Sequence, residues 1–127
     1  MRHYTTIRND SLMQGDLDDV RTEILSLATE DPGVWEAWWT VNRLRPELPL
    51  SARLALAEEA LRSLLNQDLV RLSRGSWDAQ VDVRSADVND LLRDYDTWVA
   101  SADRELVFFT ATRHGFEAYG LAVPEDA

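Results

Sequence analysis

Four aspartates in the second half of the chain are spaced in a way that could form a metal-binding site. Asp87, Asp90 and Asp94 recur at helical spacing, and Asp96 follows two residues later. Carboxylates grouped in this way can bind a divalent cation. A calcium loop, however, alternates its oxygen ligands around a glycine turn and ends in a distal glutamate, and that pattern is absent. The spacing therefore favours a solvated acidic face, and we expect neither a metal nor another cofactor.

Residues that could carry out catalysis are few. The chain has two histidines, His3 and His114, no cysteine, and thirteen arginines without a lysine. This composition excludes thiolate nucleophiles, disulfides and a lysine Schiff base. Neither histidine has a partner that the sequence places beside it, and no nucleophile elbow or phosphate-binding loop occurs. We expect a non-enzymatic protein, and the lack of cysteine makes the cytoplasm the expected location.

The net charge also indicates which kinds of molecule the protein can bind. The formal charge is −10, from 23 acidic and 13 basic residues. A field of that sign repels the phosphate backbone that supplies most non-specific affinity for DNA. No apolar stretch approaches the ~20 residues that span a bilayer. We therefore expect a protein partner with a basic surface and no membrane segment, and a homodimer is compatible with the sequence.

The apolar periodicity predicts one domain over residues 15–121, with tails at 1–14 and 122–127. Asp16, Ser51, Ser85 and Thr112 are expected to cap helices at their N-termini. The second helix should bury Val34, Ala37, Trp38, Val41 and Leu44, and the third Leu54, Ala57, Leu61, Leu64 and Leu65. Strands are expected at 69–72, ending by Gly75, and at 106–109, and the helix between them has an apolar stripe of Val88, Leu91, Leu92, Tyr95, Trp98 and Val99.

Two stretches of this layout resemble winged-helix regulators. "LRSLLNQDLVRL" (61–72) resembles the end of the third helix and the start of the wing in MarR- and PadR-like proteins, and "ATRHGFEAYG" (111–120) is similar to their return from the wing. The resemblance implies a mainly α bacterial protein with a small antiparallel β-hairpin, that is, a winged helix-turn-helix. Asp68 stands where those proteins usually have glycine, and Asp tolerates the left-handed conformation expected there.

The wing is the larger departure from that family. An ordinary wing needs a short turn, whereas this chain spends residues 75–103 there, including a helix. The insertion carries seven aspartates, among them Asp78, Asp82 and Asp103, against two arginines, a net charge of −5. Negative charge is thus expected where a DNA-binding wing would meet phosphate.

The predicted outer face of the third helix is also poor in cations. It carries Leu56, Glu59 and Ser63, with Arg62 at its margin, whereas base readout uses Arg, Lys, Asn or Gln. Leu56 is predicted to point outward, and either docks on a protein or is covered by the insertion or the N-terminal segment.

The tryptophans leave two interpretations open. Trp38 is expected in the core, while Trp39 projects to the far side of its helix and Trp77 stands at the head of the insertion. Each is either an anchor for a partner or, as we favour, a contact covered by residues 1–14 or by the insertion.

These observations lead to two hypotheses. The first is an acidic winged-helix module that binds a protein partner, of immunity or antitoxin type or an anti-activator, through Trp39, Leu56, Glu59, Ser63, Trp77, Asp78, Asp90, Asp94 and Asp96. The alternative is a DNA-binding regulator of the MarR or PadR type, whose phosphate contacts would be Arg53, Arg62, Arg71 and Arg74.

Overall fold

The computed structural model describes residues 2–101 and 104–125, with side chains from residue 15 onward. The side chains of His3 and Asp103 lie outside this part. Three helices come first: α1 (Arg2–Ala28), α2 (Val34–Leu44) and α3 (Leu50–Asn66). They are followed by β1 (Val70–Gly75), β2 (Gln80–Asp82), α4 (Ser85–Arg93), the 3-10 turn η1 (Tyr95–Trp98), β3 (Leu106–Ala111) and α5 (Arg113–Tyr119). The expected class, mainly helical with a small antiparallel sheet, is confirmed.

Of the four residues predicted to cap helix N-termini, one is confirmed and three were wrong. Thr112 caps α5, because its Oγ1 accepts a hydrogen bond from the amide of Gly115 at 3.1 Å. Asp16 does not cap a helix, since α1 already begins at Arg2. Ser51 and Ser85 were also wrong as caps, because the capping positions fall one or two residues earlier, at Pro49 and Arg84. The division into tails and domain stays a prediction.

Arg45 follows α2 and ties that end of the helix to α1. Its guanidinium donates to Asp16 at 2.5 Å and to Asp19 at 3.0 Å. The hydrogen bond with Asp16, more than the other contacts, raises the pKa of Arg45 above its usual value. A raised folded-state pKa favours the charged form, so this contribution is fully present at neutral pH and is lost only in strong alkali.

Removing this link is expected to weaken the α1–α2 contact. Because both carboxylates are partly solvated, Arg45→Ala should lower the free energy of unfolding by about 1 to 2 kcal/mol, measured by urea denaturation. The effect should shrink at high salt. Arg43→Ala is the control, since Arg43 is exposed and its distance to Glu23 is 3.8 Å. Equal losses in both variants would contradict this role for Arg45.

The sheet is antiparallel and has the strand order β2-β1-β3. Leu72 pairs with Phe109 and Val70 with Ala111, and all four side chains are buried against the helices. On the far side of β3, Gly33 forms an isolated bridge with Phe108. The sequence analysis predicted β1 and β3 but missed β2, although Val81 and Val83 alternate with Gln80 and Asp82 there; all three residues of β2 are exposed.

The insertion helix is shorter than predicted. α4 ends at Arg93, and the carboxylate of Asp94 then accepts from the amide of Asp96 at 3.0 Å, which starts η1. Trp98 is buried and donates its indole N–H to the carbonyl of Leu92 at 2.9 Å. Tyr95, expected on the buried stripe, is exposed instead. The described helices include none that is long and apolar enough to cross a membrane.

Candidate protein-binding surface

Helix α3 does not present the outer face that the sequence predicted. Leu56 is 5% exposed and belongs to the main core, so its predicted outward position was wrong. Because α3 packs against both α1 and α2, its buried face must be broad; Leu56 to Leu61 cover an arc of roughly 140°. Glu59 remains exposed and Ser63 is half-buried, so neither forms a site with Leu56.

Arg62 joins helix α4 to α3 by hydrogen bonds, in addition to the packing of Leu92 in the core. Arg62 donates to Asn89 Oδ1 at 2.9 Å and also pairs with Glu58 at 2.9 Å. This contact places the exposed Asp90 near the outer side of α3. The third helix therefore has an acidic neighbour on the side where a nucleic-acid reader would need cations.

Two arginines, Arg84 within the insertion and Arg104 just after it, partly neutralise the acidic insertion. Asp87 lies 3.1 Å from Arg84, and Asp96 lies 2.5 Å from Arg104. Asp90 and Asp94 have no such arginine partner among the described residues. The local negative charge is consequently smaller than the composition alone indicates, and among the described residues Asp78, Asp82, Asp90 and Asp94 carry it without an arginine partner.

A group of aromatic side chains lies around α2. Trp77, in the turn between β1 and β2, makes edge contacts with Phe108 at 4.8 Å and with Trp35 at 6.1 Å. Trp38 makes an edge contact with Tyr95 at 5.9 Å. Trp39 lies one turn after Trp35 on the same side of α2. We call this group the aromatic band: Trp35, Trp38, Trp39, Trp77, Tyr95 and Phe108.

Three rings of the band face solvent. Trp39 is 56% exposed, Trp77 is 61% exposed and Tyr95 is 57% exposed. Both indoles are therefore more than half exposed, and Trp77 contacts Trp35 of α2 and Phe108 of β3, which belong neither to the insertion nor to residues 1–14. Covering of either ring by the side chains of residues 1–14 lies outside the described residues. Beneath Tyr95, the buried indole N–H of Trp38 has no hydrogen-bond partner within the described part of the chain.

Carboxylates flank the exposed rings. Asp78 follows Trp77, and Asp94 and Asp96 stand on either side of Tyr95. A groove of about 540 Å³ borders Trp77 and Arg104, and Arg104 in turn pairs with Asp96. The pair Arg104–Asp96 thus connects the surroundings of Trp77 and Tyr95, and Asp78 and Asp94 are next to these rings in the chain. Trp39 adjoins the group through Trp35, one helical turn before it.

Sequence reasoning missed Tyr95 because the apolar spacing of α4 continues through it. The sequence "RDYDTW" (93–98) did contain a signal, since an aspartate that caps a new turn ends the preceding helix. An Asp-Tyr-Asp triplet at such a break places the ring outside the helical stripe.

The arginines proposed for DNA binding are mostly engaged elsewhere. Arg53 donates to the carbonyl of Leu48 at 2.9 Å and to Asn42 at 3.3 Å, which closes the α2–α3 connection. Arg74 lies 3.5 Å from Glu105. Arg71 is exposed on the outer face of the sheet, and no described residue pairs with it. Since Arg62 is bonded to Glu58 and Asn89, Arg71 is the one of these four arginines that has no partner among the described residues.

No three histidine, aspartate or glutamate side chains of the described residues come together as a metal site. No family model matches the chain, and neither a curated protein nor a solved structure shows significant similarity to it.

Proposed function

We propose that this chain is a non-enzymatic binding protein whose aromatic band holds a protein partner with a basic surface. Neutralisation of that partner, as by an immunity protein, an antitoxin or an anti-activator, is the role that suits such a surface. The proposed site consists of the exposed rings of Trp39, Trp77 and Tyr95 and the neighbouring carboxylates. Leu56 and the outer face of α3 are not part of it.

The exposure of the three rings is the observation that carries this proposal. Each is more than half exposed although large aromatic side chains normally gain from burial. Tryptophan and tyrosine dominate the energetics of protein interfaces when a partner covers them. Lysine and arginine side chains of the partner could lie against these rings and pair with the adjacent aspartates.

We propose a winged-helix fold with a helix inserted in the wing. The order of α1 to α3, the pairing of β1 with β3 and the closing helix α5 support it. We assign the protein to the cytoplasm on its lack of cysteine. Regulation by DNA binding is the alternative, but three of its four arginines are bonded within the chain.

Affinity capture with the tagged chain, followed by identification of the bound protein and titration, tests the proposal. Trp77→Ala and Tyr95→Ala should each weaken binding of the captured protein about 30-fold, as expected for interface anchors. Tyr119→Ala is the matched control, because Tyr119 is an exposed aromatic residue on α5, outside the band. A complex that tolerates both band variants would exclude the band as its interface.

Charge is tested separately. Asp78→Arg should weaken the same complex by about tenfold and remove part of its salt dependence. Glu47→Arg makes the same charge change at an exposed position of the α2–α3 loop and should leave the affinity unchanged.

A mixed-sequence DNA duplex, titrated across salt concentrations, addresses the alternative function. We expect no binding at physiological salt. Binding that strengthens at low salt and falls when Arg71 and Arg74 are both replaced by Ala would overturn the proposal in favour of a regulator.

A further inference from the structure

The outer face of the sheet carries a second cleft, separate from the exposed rings of the aromatic band. Its volume is about 300 Å³, and its lining includes Asp31, Arg71, Ser73, Gln80, Asp82 and Thr110, with Phe108 beneath them. Arg71 lies opposite Thr110 on β3, and Ser73 lies opposite Asp82 on β2. The cleft therefore presents one cation on the central strand and one carboxylate on each side.

The polar side chains around Arg71 are held in place. Thr110 donates to the carboxylate of Asp31, and Ser73 donates to Gln80 Oε1 at 2.6 Å. The second bond leaves the amide NH₂ of Gln80 free to donate to another group. Arg71 and Asp82 are diagonal neighbours on one face, which long side chains can bridge, yet they form no ion pair. The positions suit a molecule that lies between them.

The charges of the cleft determine what kind of molecule fits. An arginine guanidinium binds a carboxylate through two parallel hydrogen bonds. The carboxylates of Asp82 and Asp31 can each accept hydrogen bonds from a cationic nitrogen of a ligand. With one positive and two negative groups, the cleft has a net charge of −1, and its complement carries one carboxylate and two cationic groups.

We propose that this cleft binds a small basic α-amino acid. Arg71 holds the α-carboxylate, Asp82 accepts from the α-ammonium group, and Asp31 pairs with the cationic side chain. The stem of the ligand lies along the outer face of the sheet, where the nearly buried Phe108 forms part of the cleft lining. Because Phe108 contacts Trp77 at 4.8 Å, occupation of the cleft also changes the environment of that indole.

Isothermal titration of the full chain with L-arginine and three relatives tests this assignment. L-arginine should bind saturably at concentrations below about 10 mM. L-citrulline, which lacks the side-chain charge, and Nα-acetyl-L-arginine, which lacks the ammonium group, should each bind about tenfold more weakly. L-argininamide separates the proposal from general attraction to an acidic protein. Without its carboxylate it cannot pair with Arg71, so we expect weaker binding, whereas charge attraction alone would give tighter binding.

Variants locate the site. Arg71→Gln and Asp82→Asn should each weaken L-arginine binding about tenfold. Arg74→Gln is the matched control, because Arg74 belongs to the same strand but pairs with Glu105 and does not line the cleft. A fluorescence change on binding should disappear in Trp77→Phe while the calorimetric affinity is kept. No saturation with L-arginine, tighter binding of L-argininamide, or equal binding by Arg71→Gln would each overturn the assignment.

Discussion

Trp98→Ala is expected to lower the free energy of unfolding by about 4 kcal/mol, the range found when a buried aromatic side chain is truncated. Trp98 is 2% exposed, so the substitution leaves a cavity beneath η1. It also leaves the carbonyl of Leu92 without the indole N–H that it accepts. Against a typical total of about 5 to 15 kcal/mol, this is a large loss, and chemical denaturation monitored by circular dichroism will measure it.

Trp39→Ala provides the comparison for Trp98→Ala. Because Trp39 is more than half exposed, its removal should change the free energy of unfolding by about 0.5 kcal/mol or less. Equal effects of the two substitutions would contradict the burial of Trp98. The comparison also bears on the proposed function, since η1 carries Tyr95, Asp96 and Trp98. Loss of Trp98 should release this turn and with it part of the partner surface.

Gly115→Ala is expected to destabilise the fold by about 3 kcal/mol, the upper part of the range for overpacking in a rigid site. A Cβ atom at Gly115 would stand 2.1 Å from the carbonyl oxygen of Leu69, which is backbone and cannot rotate away. The same carbonyl accepts the amide of Thr112 at 3.0 Å, so separating the two segments would break that bond as well. Thermal unfolding will show the effect as a lower Tm.

Gly15→Ala is the control for this glycine. Among the described residues, no atom outside the adjacent residues and the local helix backbone lies within 4 Å of a Cβ at Gly15, which is inside α1. Alanine favours helix by about 1 kcal/mol relative to glycine, so this variant should be neutral or slightly more stable. A Gly115→Ala variant that behaves like Gly15→Ala would show that α5 can move away from Leu69.

Features that depend on a few neighbouring residues could be predicted from the sequence. Asp68 has the left-handed conformation expected of it, with φ 58°, and Thr112 caps α5 as predicted. Both depend on a residue and its nearest neighbours, so the local sequence was enough. Most of the predicted stripe of α2 is buried as well, namely Val34, Ala37, Trp38 and Val41, whereas Leu44 is half-buried.

Features that depend on contacts between residues far apart in the chain could not be predicted from the sequence. In α3, leucine and alanine occur around most of the helix, so the sequence alone did not choose which side faces α1 and α2. Leu56 was misplaced for that reason. The pairing of β2 with β1 comes from backbone hydrogen bonds, and because all three residues of β2 are exposed, no buried face identified the strand. Of the proposed site, Trp39, Trp77 and the aspartates were named in advance, but their grouping around α2 and the exposure of Tyr95 required the fold.

The strand pairing also sets an order for folding. Gly75 pairs with Gln80 across a short turn, but it also pairs with Leu106, about thirty residues further along the chain. The first pairing can form within microseconds once β2 has been synthesised. The second pairing closes a much longer loop, so it loses more chain entropy before its contacts form. A nascent chain that has not yet reached β3 therefore leaves one edge of β1 open, and this is the stage at which the protein is most exposed to intermolecular strand pairing.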